Sequence, residues 1–149
     1  MVKSLPPRWF VRSAWVAHKA LLGITRDRVG LSKPGDGRFG MLRLHTVGRQ
    51  SGRPRAVVLG YIEDGDNLVT LAMNGWAPPE PGWWLNLRAR PEAEVDMAGG
   101  RRAVVAREAT GAERERLWAT LRGVSGYGEL DALAAKRGRE TAVVILGPR

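Results

Sequence analysis

The chain has 149 residues, 44% of them apolar, enough for one domain with a substantial core. It has no Cys, which excludes disulfides and thiolate metal sites, and no apolar run approaches the ~18 residues of a transmembrane helix. The formal charge of +9 is uneven: residues 1–55 carry twelve Lys/Arg against Asp27 and Asp36, while the remainder is close to neutral. The N-terminal third is therefore expected to face an anion.

Residues 6–22, PPRWFVRSAWVAHKALL, predict an amphipathic helix with Phe10, Ala14, Ala17 and Leu21 on one face. Arg8, Arg12 and Lys19 lie beside Trp15 on another, so the helix either packs on the domain or rests on anionic lipid. Arg12, His18 and Lys19 break the apolar stretch and no small-residue cleavage site follows, which argues against a signal peptide. A cytoplasmic protein is expected, with peripheral contact at the inner face of the cell membrane as an option carried by residues 6–22. SKPGDGRFG (32–40) is loop by composition.

From Met41 the pattern becomes strand-like. MLRLHTV (41–47), the turn GRQSGRPR, and AVVLGYIE (56–63) form one pair, and D-G-D-N (64–67) leads into LVTLAM (68–73). NGWAPPEPG (74–82) is a Pro/Gly-rich loop, and WWLNLRARP (83–91) is a short helix stopped at Pro91. EAEVDMA, Gly99–Gly100 and RRAVVARE (101–108) make a second hairpin. Thr110 and Glu113 fit a capping box before a helix with Leu117, Trp118 and Leu121 inward. A short helix spans about 129–136, and TAVVILG (141–147) reads as a buried final strand. About six strands, mostly in hairpins, predict an antiparallel α+β barrel or sheet. Residues 1–40 form a basic helix and loop, and 41–149 the barrel, within a single domain.

The chemistry is narrowly bounded. His18 and His45 are the only histidines and no carboxylate cluster neighbours either in sequence, so no metal site is expected and His45 reads as structural. Ser51 lacks a G-x-S-x-G elbow, and neither G-x-G-x-x-G nor a Walker lysine is present. An enzyme of this composition needs a cofactor to carry the reaction. HTVGRQSGRPRAV (45–57) supplies candidate anion contacts in Arg49, Ser51 and Arg55, with Gly48 and Gly52 allowing close backbone approach, or else it is a solvated turn. Trp83, Trp84 and Asn86 are either core or the wall of a pocket for a planar ring.

LRLHTVGRQSGRPR, followed by AMNGWAPPEPGWWLNLRARPEAEV and AREATGAERERLWATL, resembles the deazaflavin-dependent nitroreductase family of actinobacterial reductases. The likeness runs from about Met41 to Leu146. It implies a split β-barrel of the FMN-binding, pyridoxamine-phosphate-oxidase-like kind, with coenzyme F420 as hydride carrier. By that resemblance Arg49, Gln50, Ser51, Gly52 and Arg55 hold the phosphate and glutamate tail, with Gln50 where Lys is more frequent. Val57 and Val58 lie along the deazaflavin, Met73, Asn74 and Gly75 approach its rings, and Trp83, Trp84 and Asn86 complete the site. Trp76 stands where glycine is frequent, which narrows the expected pocket. Tyr127 is the one tyrosine matching the substrate-contacting set of nitroimidazole reducers, and it is the candidate proton donor or substrate contact. Gly60 stands near another position that can be aromatic.

The resemblance implies hydride transfer to a small organic acceptor such as a quinone, an activated alkene or a nitroaromatic, and a homodimer as a known arrangement of such barrels. FMN in place of F420 is the alternative within the same fold. A nucleic-acid binder would also use the N-terminal charge, but the aromatics lie away from the arginines and no specific nucleic-acid contact is expected.

Overall fold

The fold is that of a computed structural model, which describes residues 30–149. The predicted helix over 6–22 lies outside the described residues. The elements run β1 (Gly40–Val47), β2 (Pro54–Asp64), β3 (Asn67–Ala72), a 3-10 turn (Asn74–Trp76), α1 (Gly82–Ala89), β4 (Glu92–Met97), β5 (Gly100–Glu108), α2 (Gly111–Arg122), α3 (Leu130–Arg137) and β6 (Ala142–Pro148). The six strands close into an antiparallel barrel in the order β1-β2-β3-β6-β5-β4.

Alternation decides which side chains fill the barrel. On β1, Leu42 and Leu44 point inward with Tyr61, Leu68, Val95, Val104, Val144 and Leu146. The opposite faces of β3 and β6 are apolar too: Val69, Leu71, Val143 and Ile145 pack with Leu117, Leu121 and Leu130 of the helices. Both faces of β6 are thus covered, which explains why TAVVILG is continuously apolar.

The expected capping box is absent. Thr110 makes no side-chain cap bond, and Glu113 turns instead to Arg107, accepting two hydrogen bonds at 2.6 and 3.0 Å. A bidentate guanidinium is the stronger partner for the carboxylate. Trp118 is only half-buried, its Nε1 donating to Asp131 at 2.8 Å. His45 does have a carboxylate beside it: Nε2 lies 2.6 Å from Asp96 Oδ2 across the β1–β4 ladder, with Arg101 Nε donating to Asp96 Oδ1 at 2.7 Å. Burial pushes the Asp96 carboxyl up, but hydrogen bonds from Arg101 and His45 outweigh it and hold the group below its ordinary value.

One irregularity positions the site. β2 pairs with β1 from Pro54 to Tyr61, but with β3 only from Ile62↔Val69 to Asp64↔Asn67. The strands part at Gly60, whose carbonyl accepts a hydrogen bond from the Thr70 hydroxyl at 2.7 Å. Beyond that point β2 runs on without β3, and a cleft opens beside residues 55–60.

Candidate active site

The cleft holds a cavity of about 760 Å³, within the range of sites that enclose a cofactor-sized ligand. It follows β2 from Arg55 to Gly60, a rise of roughly 17 Å at the strand repeat, and its two ends differ in chemistry.

At one end sits the β1–β2 loop. Gly48 N–H donates to Arg53 O and Gly52 N–H to Gly48 O, both at 2.8 Å, while Arg53 N–H donates to Ser51 Oγ at 3.2 Å. A Cβ on Gly48 would come within 2.6 Å of Ser51 Oγ, so a larger residue there would displace the Ser51 hydroxyl. Gly52 has φ +69, which also favours glycine. Arg49, Gln50, Ser51 and Arg55 face the cavity from this loop. Among the described residues no acid pairs with Arg49 or Arg55, and both are exposed.

Asn86 of α1 holds the loop in place. It is only 6% exposed. Its Oδ1 accepts from Arg49 N–H and from Arg49 Nη1, each at 3.1 Å, and its Nδ2 donates to Thr46 Oγ1 at 3.2 Å. An arginine can only donate, so the amide orientation follows from its partners.

The middle of the cavity is walled by Val57 and Val58 of β2, by Trp83 of α1, and by Met73, Asn74 and Gly75. The last two belong to an unusual turn: Asn74, Gly75 and Trp76 have φ 49, 60 and 69, three successive left-handed residues. Two of them carry a Cβ, so the surroundings must hold them there. Asn74 Nδ2 donates to Pro79 O at 3.0 Å. Arg137, 1% exposed, donates from Nε to Ala77 O at 2.8 Å and from Nη2 to Pro79 O at 3.0 Å and Glu80 Oε1 at 2.9 Å. A buried guanidinium thus clamps the loop whose other side lines the cavity.

The far end is apolar and aromatic, formed by Phe39, Met41, Gly60, Leu71, Gly126 and Tyr127. Tyr127 is 6% exposed and its hydroxyl has no hydrogen-bond partner among the described residues. Burial pushes its phenol up to about 12, so it stays neutral and able to donate throughout the physiological range.

Of the sequence-predicted residues, Arg49, Gln50, Ser51, Arg55, Val57, Val58, Met73, Asn74, Gly75, Trp83, Asn86 and Tyr127 all line this one cavity. Trp84 does not: it is 4% exposed inside the barrel core, since adjacent helical residues point about 100° apart. Gly52 shapes the loop from outside the cavity wall. Trp76, expected to narrow the pocket, packs instead against the helix-covered core cluster. Sequence reasoning missed Phe39 and Arg137; Phe39 lies in a segment read only as loop, and nothing in the pattern of α3 distinguishes Arg137. Among the described residues no group of His, Asp and Glu could hold a metal ion.

A cavity with arginines that have no acidic partner among the described residues at one end and an apolar, aromatic surface at the other suits a ligand with an anionic tail and a planar ring. The family model of the F420H(2)-dependent quinone reductases matches residues 26–148. The chain is 36% identical over 104 residues to an F420H(2)-dependent quinone reductase of Mycobacterium tuberculosis, covering 67% of this chain and 68% of that protein. Its fold is similar to that of an F420-H2 dependent reductase, with TM-score 0.63 and 27% identity over 71% of this chain and 92% of that one. It is also similar to a solved chain described as a domain-swapped dimer, with TM-score 0.67 and 26% identity over 91% and 98% of the two chains. These matches favour F420 over FMN as the coenzyme of the split barrel. The chain belongs to the F420H(2)-dependent quinone reductase family of oxidoreductases, whose coenzyme is F420.

Proposed function

We propose that the chain is a cytoplasmic reductase that passes a hydride from reduced F420 to a quinone held at the apolar end of the cavity. The observation that carries this reading is the polarity of the cavity, cationic at Arg49 and Arg55 and aromatic at Phe39 and Tyr127, some five strand residues apart. Arg49, Arg55 and Ser51 fit the coenzyme's phosphate and carboxylates, since two guanidinium groups, which can only donate, and a hydroxyl that can donate stand together on a glycine-shaped loop. Val57, Val58 and Trp83 offer flat apolar contact for the ring, and Met73, Asn74 and Gly75 close on it from the other wall. Gln50 adds a neutral donor.

Bound there, the coenzyme supplies two electrons as a hydride. The protein's share is to align acceptor and donor faces and to keep water from between them. Tyr127 contacts the acceptor through its ring, since its hydroxyl is buried away from the cavity surface. A phenol held at about 12 is a weaker acid than an ordinary phenol at about 10. Tyr127 therefore holds its proton, and water protonates the hydroquinone.

Nitroaromatics and activated alkenes are secondary acceptors, because they present the same polarised, planar, two-electron-accepting group. Residues 6–22 provide peripheral contact with an anionic bilayer, where quinones reside; flotation with anionic vesicles before and after deleting them tests this. Nucleic acid is not a specific partner, and the barrel pairs as a homodimer, which light scattering would measure. The test of the central reading is fluorescence titration with oxidised F420, followed by mixing the reduced-coenzyme complex with 2-methyl-1,4-naphthoquinone. Tight binding and stoichiometric coenzyme oxidation are expected; no binding at micromolar coenzyme refutes it.

A further inference from the structure

Phe39 stands in a segment without regular structure, yet its ring is fixed from several sides. The loop before it folds back on itself, with Gly35 and Arg38 exchanging hydrogen bonds at 3.2 and 3.1 Å and Ser32 and Met41 at 3.1 and 3.0 Å. Gly40 makes this possible: a Cβ there would meet Ser32 O at 2.5 Å and Pro34 N at 2.6 Å. A second tie comes from the segment after α2. Ser125 donates to Gly37 O from both its N–H, at 2.7 Å, and its hydroxyl, at 2.9 Å.

The ring itself lies between two glycines. A Cβ on Gly60 would come within 2.8 Å of Phe39 Cδ2, and one on Gly126 within 2.2 Å of Cε1. No side chain larger than hydrogen fits at either position while the ring stays where it is. Tyr127 completes the enclosure, its ring centroid 5.1 Å from that of Phe39 at an interplanar angle of 38°. The aromatic that bounds this end of the cavity is therefore delivered by the loop before β1, and β2 and the 126 segment are bare to receive it.

We propose that Phe39 is the specificity-determining residue of the acceptor subsite: its ring sets the size limit of the quinone that can lie beside Tyr127. This rests on the reading that the apolar end of the cavity holds the acceptor. The Phe39 ring lies against Gly60, five positions along β2 from Arg55, so it selects the acceptor at the end away from the tail site. Its ring also presents an apolar edge to the acceptor, so single-ring and two-ring quinones fit, and fused three-ring quinones meet the ring first. Removing the ring leaves Gly60 and Gly126 facing open space, which a longer acceptor can fill.

The experiment compares the wild type with Phe39→Ala and Phe39→Leu, each loaded with oxidised F420. Calorimetry measures binding of 2,6-dimethyl-1,4-benzoquinone, 2-methyl-1,4-naphthoquinone and 9,10-phenanthrenequinone, and steady-state assays measure kcat/KM for the same three. With no thiol in the chain, cysteine arylation by the quinones does not interfere. The preference for three rings over one should rise about tenfold or more in Phe39→Ala, in both Kd and KM, with Phe39→Leu in between and F420 affinity unchanged. An unchanged preference in a Phe39→Leu protein that still binds F420 overturns the proposal. Failure of the wild type to bind F420 overturns the coenzyme reading and this inference with it.

Discussion

Asn86 Oδ1 accepts two hydrogen bonds from Arg49, one from its backbone N–H and one from its guanidinium, each at 3.1 Å. A helix residue thereby fixes both the path of the anion loop and the direction of its arginine, and leaves the rest of the guanidinium for a ligand. Asn86→Ala should cost about 1–3 kcal/mol of stability, because buried partners lose their bonds. F420 affinity should fall about tenfold as Arg49 loses its orientation. Asn86→Asp separates the two effects: a carboxylate keeps Arg49 in place but neutralises it, so stability is retained better than in Asn86→Ala while coenzyme affinity falls at least as far. Urea unfolding and F420 titration on the same samples check both.

Arg55 offers the complementary case. Its side chain is exposed and has no hydrogen-bond or ion-pair partner among the described residues, so Arg55→Ala should change stability by less than about 0.5 kcal/mol. Affinity for F420 should nonetheless fall about tenfold or more, since a charge-assisted contact to the tail is lost. The loss should shrink as salt is raised, because an exposed charge pair is screened. Titrations at low and high salt measure this.

The barrel was legible because its signals are local. Alternation in MLRLHTV, the Asp-Gly turn after β2 and the unbroken apolar run of β6 each reflect which faces are covered. The loop arginines and Asn86 were also legible, as members of motifs at a fixed separation. Phe39 and Arg137 were not, because their roles depend on partners that only the closed barrel brings near: Gly126 lies beyond α2 from Phe39, and Ala77 is 60 positions from Arg137. Glu113 differs: it fits a cap by spacing but goes to Arg107, a competing partner only six positions away at the end of β5. Trp83 and Trp84 are chemically identical in sequence, and only the docking of α1 decides that one faces the cavity and the other the core.

Arg137→Met should be among the most destabilising single changes in the described residues. It leaves Glu80 with only the 3.8 Å contact to the half-exposed Arg139 and removes donors from the Ala77 and Pro79 carbonyls, at a cost of about 3 kcal/mol, the lower end for a broken buried pair. The strained Asn74–Trp76 turn loses its clamp, so F420 affinity should fall as well. Arg137→Met combined with Glu80→Gln should recover only part of the stability, since Ala77 O loses its guanidinium donor and Pro79 O keeps only Asn74 Nδ2. Full recovery in urea unfolding would mean that the ion pair alone, not the loop clamp, was at stake.

Tyr127 and Tyr61 are the only tyrosines of the chain, and both hydroxyls are buried without a partner among the described residues. Burial raises both phenols, Tyr127 to about 12, with Glu63 adding to the rise at Tyr61. In the unfolded chain each titrates near its ordinary value of about 10. Above that pH the unfolded state has released protons that the folded state still holds, so stability falls as pH rises from about 10 towards about 12. Tyrosinate absorbance should therefore appear together with loss of near-ultraviolet circular dichroism, not before it. Tyr127→Phe removes one orphaned hydroxyl, so it should leave stability at neutral pH unchanged or raise it by up to about 1 kcal/mol and flatten the alkaline decline. Its KM for quinones and its F420 affinity should stay close to the wild type, since the ring that lines the cavity is kept. A tyrosinate signal at about pH 10 in the intact fold would show that the phenols are solvated, and would overturn the burial on which this pH dependence rests.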